Sequence, residues 1–398
     1  MIVPNKNREP VSAPGPLKRG AALILALFAV VVLATIVSAA AFVSQQEYRG
    51  SRNTLIEQRA FAVSEFGLNS EISNWDRNRN LPPPVGRPIG YLDTTRIYVA
   101  SGDSARIYIK RLSDNAFWVV SEGRANIGSS LLEAGRQTSA YVRIAYPSIS
   151  PKGAITSAGN VRVAGSSEVN GYEHHPNGWP QCGSIPGDTV PAVVVAPGAT
   201  VQSGPSNITS TPAVVYDPAA SDSNTYVRYG SESWNTLTSN ADIILPGGLF
   251  NSDIQPVANI PATVPPTCNT TLNTNWGEPL RPGVAACYGY YPIVYSQTSL
   301  KINGNGRAQG ILLVNGDLEI NGTFEFYGLV ILRDDLVKGN GTAMIKGAVF
   351  AANLTDISPT SWLTGDQDVH YSTCAVESAL RGSAILTRVT QRHWAQIF

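Results

Sequence analysis

Three sets of residues in this 398-residue chain have types that chemistry uses. The first is Glu173-His174-His175, the one histidine cluster, which offers two imidazoles and a carboxylate to a divalent metal such as zinc. Neighbouring residues of an extended segment point to opposite sides, so they would not converge on one ion, and a polar turn in these Asn- and Gly-rich surroundings is the simpler expectation. The second set is Asp317 with Asp334-Asp335, carboxylates of the kind that hold Ca²⁺ or serve polysaccharide lyases. Asp317 and Asp334 fall at turn-like places, where Asp is favoured because its side chain bonds the local backbone. The chain has no nucleophile elbow, phosphate-binding glycine loop or Cys–His constellation. The expectation is therefore a protein that is not an enzyme, with no cofactor and no metal site.

The third set is Cys182, Cys268, Cys287 and Cys374, and no pair of them has metal-ligand spacing. An even number in an oxidising compartment suggests two disulfides, although four cysteines allow three pairings. Cys268 with Cys287 is the local choice, closing a loop of about 20 residues for roughly 3 kcal/mol in the chain-entropy model. Cys182 with Cys374 would then join the start of the region to its end.

The elements that must position these residues change character along the chain. From Pro147 onward, Gly310, Gly328 and Gly347 each precede an apolar tetrad: Ile311-Leu312-Leu313-Val314, Leu329-Val330-Ile331-Leu332 and Ala348-Val349-Phe350-Ala351. A unit of about 18–19 residues thus repeats, and within it Gly304, Gly310, Gly316, Gly322 and Gly328 recur at a constant short interval. Such a period means each rung turns at its glycines and stacks its tetrad on the next, burying a column that no rung could bury alone. A β-helix or β-solenoid is expected, with Leu313 and Ile331 pointing inward and Glu319 and Glu325 outward. A β-sandwich is the alternative. Residues Pro151 to Gly171 read as an earlier rung, and the Pro/Ser/Asn/Thr-rich chain between it and Gly304 as long insertions.

Upstream, Arg96 to Ala100, Ala105 to Lys110, Ala116 to Val120 and Ser139 to Ile144 are short segments rich in aromatic and β-branched residues, separated by turn signals. They predict a small antiparallel sheet. A helical pattern precedes them and runs to Leu81, before Pro82-Pro83-Pro84, with Phe61, Leu68, Ile72 and Trp75 on one face and Glu65 as the exception in that stripe.

The helix begins in an apolar run. From Ala21 to Val43 no residue is charged. At about 1.5 Å per residue this run reaches roughly 34 Å, enough for a bilayer core of about 30 Å. Lys6, Arg8, Lys18 and Arg19 precede it with only Glu9 against them, which places the N-terminus in the cytoplasm and the remainder across the membrane. A plain anchor is one reading. A cleaved signal is another, with Ser38-Ala39-Ala40-Ala41 imitating its site, although such signals have apolar cores of about 7–15 residues.

Arg19-Gly20-Ala21-Ala22-Leu23-Ile24-Leu25 resembles the start of PilX-type minor pilins and K-type pseudopilins, and Ala60-Phe61-Ala62-Val63-Ser64-Glu65-Phe66-Gly67-Leu68 is similar to the Glu-x-Gly-Leu stretch on the same helix of those proteins. The resemblance extends from the N-terminus as far as Asn80. It implies cleavage after Gly20 by a prepilin peptidase, a methylated Ala21 as the mature N-terminus, and Lys18 and Arg19 as leader residues. Partners would be other pilins or pseudopilins and an inner-membrane assembly platform. The location would be the bacterial inner membrane, with the C-terminal part periplasmic or carried to a pilus tip. The chain departs from major pilins at two positions, with Ala21 in place of Phe and Leu25 in place of the fifth-residue Glu. A carboxylate in lipid is costly unless paired, and in a filament the neighbour's α-amine pairs it. Leu25 removes both cost and partner, which suits a tip or priming subunit better than the repeating shaft.

Composition sets the remaining bounds. With 29 basic and 29 acidic residues there is no overall charge to recommend nucleic acid as a partner, while 36 Gly and 27 Pro suggest a turn-rich β exterior. The predicted organisation is α+β, mainly β: leader 1–20, membrane segment 21–43, pilin-like helix and antiparallel sheet 44–146, and glycine-rich β-solenoid-like exterior 147–398. The predicted role is a filament subunit at the tip or in assembly priming. A membrane-anchored adhesin or carbohydrate-binding module is the alternative.

Overall fold

The computed structural model describes residues 19–99, 102–126, 133–204, 207–230, 232–259, 267–281, 286–337, 339–353, 360–363, 366–388 and 394–397. Helix α1, Arg19–Ser73, is 55 residues long and so spans about 83 Å. Its first half is exposed along its whole length, whereas its second half packs on a sheet.

The buried face of α1 is Ile56, Ala60, Val63, Gly67 and Leu68, with Ile72 and Trp75 packed at its edge. This differs from the expected stripe, because the sheet approaches the small residues and Phe61 is left half-buried. Gly67 sets that approach: a Cβ there would come against the Ala105 Cβ. The α-helix also stops at Ser73, earlier than the prolines require. Asp76 accepts a hydrogen bond from the Asn78 N–H and starts a separate short turn, Arg77–Asn80.

The sheet is an antiparallel meander of β1 (Leu92–Tyr98), β2 (Ser104–Ser113), β3 (Ala116–Asn126) and β4 (Glu133–Ala145). Two further strands, Ile385–Arg388 and Trp394–Ile397, also pair with β4. The chain end therefore returns to the first sheet, and the exterior region is an insertion between two strands of that sheet rather than everything after residue 146.

Inside the insertion, short strands pair in parallel along three ladders. In the first, Ile293, Ile311, Leu329 and Ala348 are successive partners, so the chain comes back to the same ladder once in every sequence repeat. In the second, Leu300, Leu318 and Leu336 stack. In the third, Phe324 lies between Gly306 and Ala343. Leu312, Val330, Ile320 and Phe324 from the three ladders share one apolar core. Asparagines knit the corners, with Asn303 Nδ2 donating to Asn251 Oδ1 at 3.2 Å and Asn321 Nδ2 to Asn303 Oδ1 at 3.0 Å. Gly310, Gly328 and Gly347 mark another corner in register. Gly328 has φ 141°, and a Cβ on it would collide with the Gly310 carbonyl oxygen.

The stretch expected to be insertions joins the ladders instead. Val193–Val195 and Val214–Tyr216 extend the first ladder beyond Ile155–Ser157, while Ile243–Leu245 begins it at the opposite end. The two chain segments meet where Val349 pairs with Ile155 and Val369 with Val169. Side chains seal that junction: Asn353 Oδ1 accepts from the Gly159 N–H at 3.0 Å, and Asp368 Oδ1 from the Glu168 N–H at 2.9 Å.

Leu313 and Ile331 are buried, but on the outer side of the first ladder, not the inner one. Trp179, Tyr291, Leu81 and helix α2 (Thr373–Gly382) cover them there. With apolar layers on both faces, the tetrads need apolar residues at every position and cannot alternate. Trp179 is central to the covering layer, its ring 5.9 Å from Tyr288, 5.9 Å from Tyr291 and 5.8 Å from Tyr327.

Two disulfides close the region. Cys268 is bonded to Cys287, and Cys182 to Cys374, the latter tying the turn Pro180–Ser184 to α2 across a sequence separation of 192. Removing the second bridge with a Cys182→Ala/Cys374→Ala pair should cost about 2–5 kcal/mol, because it restrains the longer unfolded loop and anchors α2 over the ladder. Denaturant unfolding of the purified protein checks this, together with a thiol count that should find none free before reduction. An unchanged midpoint would show that α2 is held by packing alone.

Candidate membrane and filament interface

The exposed part of α1 is apolar from Ala22 through Val43, and then Ser44, Gln45, Gln46 and Glu47 follow without a break in the helix. Among the described residues this is the one helix long and apolar enough to cross a membrane. Leu23, Ile24, Phe28 and Leu33 are all largely exposed, so this surface has no cover within the described residues. Leu25 belongs to it, 69% exposed, four positions after Ala21.

Arg19, Gly20 and Ala21 are the first three residues of α1, and Lys18 lies outside the described residues.

Ion pairs fix the outer half of α1 to the sheet on both flanks. Arg59 Nε meets Asp103 Oδ2 at 2.7 Å, and Glu57 Oε2 accepts from Arg136 at 2.7 Å. Below them Arg79 bonds Glu71 at 2.6 Å. The short turn that follows α1 is also tied to the exterior region, through Arg77 with Asp242 at 2.9 Å and Asn80 Nδ2 donating to the Arg381 carbonyl at 3.2 Å. Glu65 is half-buried beside the contact face, next to the exposed Phe66.

The other candidates separate into structural roles. His175 lies with the Cys182 and Cys374 sulfurs within 4.8 Å of one another, but those sulfurs are bonded together and supply no thiolate. Glu173 instead accepts from Ser372 Oγ and the Thr373 N–H, both at 2.9 Å, at the start of α2. His174 Nδ1 is 2.7 Å from the Tyr172 carbonyl, and its ring lies 4.6 Å from that of His370, tilted by 32°. Burial first, then the neighbouring His174, hold the His370 imidazole below the usual histidine range. That pairing joins opposite ends of the exterior region, and nothing in the local sequence announces it. Asp317 lines a cleft of about 280 Å³ with Lys301 and Glu319, whereas Asp334 and Asp335 are buried away from it. Asp317 Oδ1 accepts from the Asp335 N–H at 3.0 Å, which makes it a corner bond of the ladder. In the covering layer, burial pushes the phenols of Tyr226, Tyr229, Tyr288 and Tyr291 upward, so they remain protonated hydrogen-bonding groups.

Neither a protein-family model nor a curated protein sequence matches the chain. Among solved structures it is similar to the competence-associated pilin ComZ from Thermus thermophilus, with 10% identity and a TM-score of 0.24 over 86% of this chain and 97% of that one. A likeness this loose assigns nothing to the chain by itself.

Proposed function

We propose that the chain is a minor pilin or pseudopilin-like subunit of a type IV pilus or type II secretion filament, inserted in the inner membrane and without catalytic activity of its own. The observation that carries the reading is the continuity of α1. An anchor that merely tethers a domain needs no rigid link between span and domain, yet here one helix runs on from Val43 to Ser73 and is clamped to the sheet by ion pairs on both sides. Such a rod holds the exterior region at a fixed height and angle above the bilayer, as packing into a helical filament requires.

In this reading the basic residues before the span remain cytoplasmic, the peptidase removes the leader at Gly20, and the platform and neighbouring subunits hold the exposed apolar helix. The three parallel ladders are the faces of a β-solenoid, a stiff display body on a pilin core. Its Asp317 and Asn321 serve as corner bonds, which supports a scaffold better than a catalytic groove. Leu25 lacks the carboxylate that would pair with a neighbour's amine, and the bulky insertion would collide with neighbours in a closely packed shaft. Both features favour a place at the tip or in priming.

Immunogold labelling of sheared filaments tests the position. Gold is expected at filament ends, with the subunit scarce relative to the major pilin. Even labelling along the shaft would contradict the tip reading.

A further inference from the structure

The face of the β1–β4 sheet turned away from α1 carries a second surface. Alternation along the strands sends Ile107, Val119 and Val142 inward, and Tyr98, Trp118 and Tyr141 outward at 76, 41 and 39% exposure. Trp118 and Tyr141 are direct cross-strand partners, and Lys110 is the partner of Trp118 on its other side. Arg96 and Arg106 are also direct partners, like charges that repel across the pair, and Glu122 is the partner of Arg106 on its other side. None of Arg96, Arg106 and Lys110 has an ion-pair partner among the described residues. Glu122 is the acid between these rows, and it is engaged by Arg124 at 2.8 Å and by the Tyr108 hydroxyl at 3.2 Å.

We infer that this face binds an acidic polysaccharide, with sugar rings stacked on Trp118 and Tyr141 and carboxylates held by Lys110 and the Arg96/Arg106 pair. Guanidinium groups match carboxylates in a two-bond fork. An exposed indole beside a phenol offers the flat apolar platform that the C–H face of a pyranose covers. The spacing of the cations favours this occupant over nucleic acid. The Lys110 and Arg106 positions are four residues apart along β2, or about 13 Å. One carboxylate per sugar or disaccharide suits that sparse pattern, whereas a phosphate at every nucleotide calls for a denser array. The whole chain, at 29 basic and 29 acidic residues, supplies no long-range field that would add affinity for nucleic acid. The inference stands on the sheet alone and does not depend on whether the helix enters a filament.

The test is calorimetric titration of the full chain in detergent micelles with oligomers of polygalacturonate and alginate, neutral dextran, and oligothymidylate. Both acidic glycans should bind, more weakly in high salt, and dextran and oligothymidylate should not. Trp118→Ala and the double variant Arg96→Gln/Arg106→Gln should each weaken binding by at least about tenfold while still unfolding in one cooperative transition, the double variant no earlier than the wild type. Tyr216→Ala, exposed at the far end of the first ladder, should leave binding intact. If Trp118→Ala fails to fold, the arginine pair decides. Absence of binding to both acidic glycans, equal binding of dextran, tighter binding of oligothymidylate, or full affinity in the folded variants would overturn the proposal.

Discussion

Leu313→Asp is expected to unfold the exterior region, lowering stability by more than about 4 kcal/mol, while Glu319→Gln should change it by less than about 1 kcal/mol. Leu313 is fully buried between the first ladder and the layer formed by Trp179, Tyr291 and α2. The substitution removes a large apolar side chain and places a carboxylate where nothing can pair with it. Glu319 is a different case, lying half-exposed in a 2.8 Å pair with Lys301, and exposed pairs contribute little. Hydrogen bonding to Lys301 holds its carboxyl below the usual range, but solvent screens most of that interaction. Thermal unfolding of the purified protein should separate the two variants by at least about 8 °C. Equal midpoints would mean that the outer layer is not packed on the tetrads.

That contrast also marks how far the residues themselves could be read. The tetrads at 311, 329 and 348 were legible as buried, and the glycine period set the register in which Gly310, Gly328 and Gly347 now stand. The side to which Leu313 points was not legible. A tetrad apolar at every position carries no alternation, and its second cover comes from Trp179 and α2, far away in sequence. The strands Val193–Val195 and Ile243–Leu245 were hidden for a related reason. Such short segments cannot show a period against Pro- and Ser-rich flanks, and only stacking on a neighbouring strand makes them strands.

The helix was easier in outline than in detail. Its apolar first half and its continuation past Val43 follow from composition, but its contact face is set by Gly67 and Ala60, residues with little hydrophobic signal of their own. Close approach of a sheet selects small residues, so the larger Phe61 was the misleading one. The return of Ile385–Arg388 to β4 is a pairing of distant segments, and no local pattern specifies it. On the outer side of the same sheet, the alternation that sends Trp118 and Tyr141 outward was present in the sequence, but a whole-chain charge of zero conceals a local surplus of cations.

Processing of the N-terminus is the second large effect, because the expected change is all or none. Gly20 lies in α1 between Arg19 and Ala21, and in the pilin reading a bulky residue at that position should block cleavage of the leader. In membranes the wild-type protein should therefore lack residues 1–20, and Gly20→Leu should keep them and leave the filament. Lys18→Gln/Arg19→Gln should slow processing and weaken the orientation bias, since in the proposed orientation both charges are held on the cytoplasmic side of the span. The most direct measurement is the mass and sequence of the N-terminal peptide of the protein extracted from membranes of cells that also carry the assembly machinery. A chain beginning at Ala21 with a methylated α-amine is the predicted result; an intact Met1, or a terminus near Ala41, would contradict the pilin account.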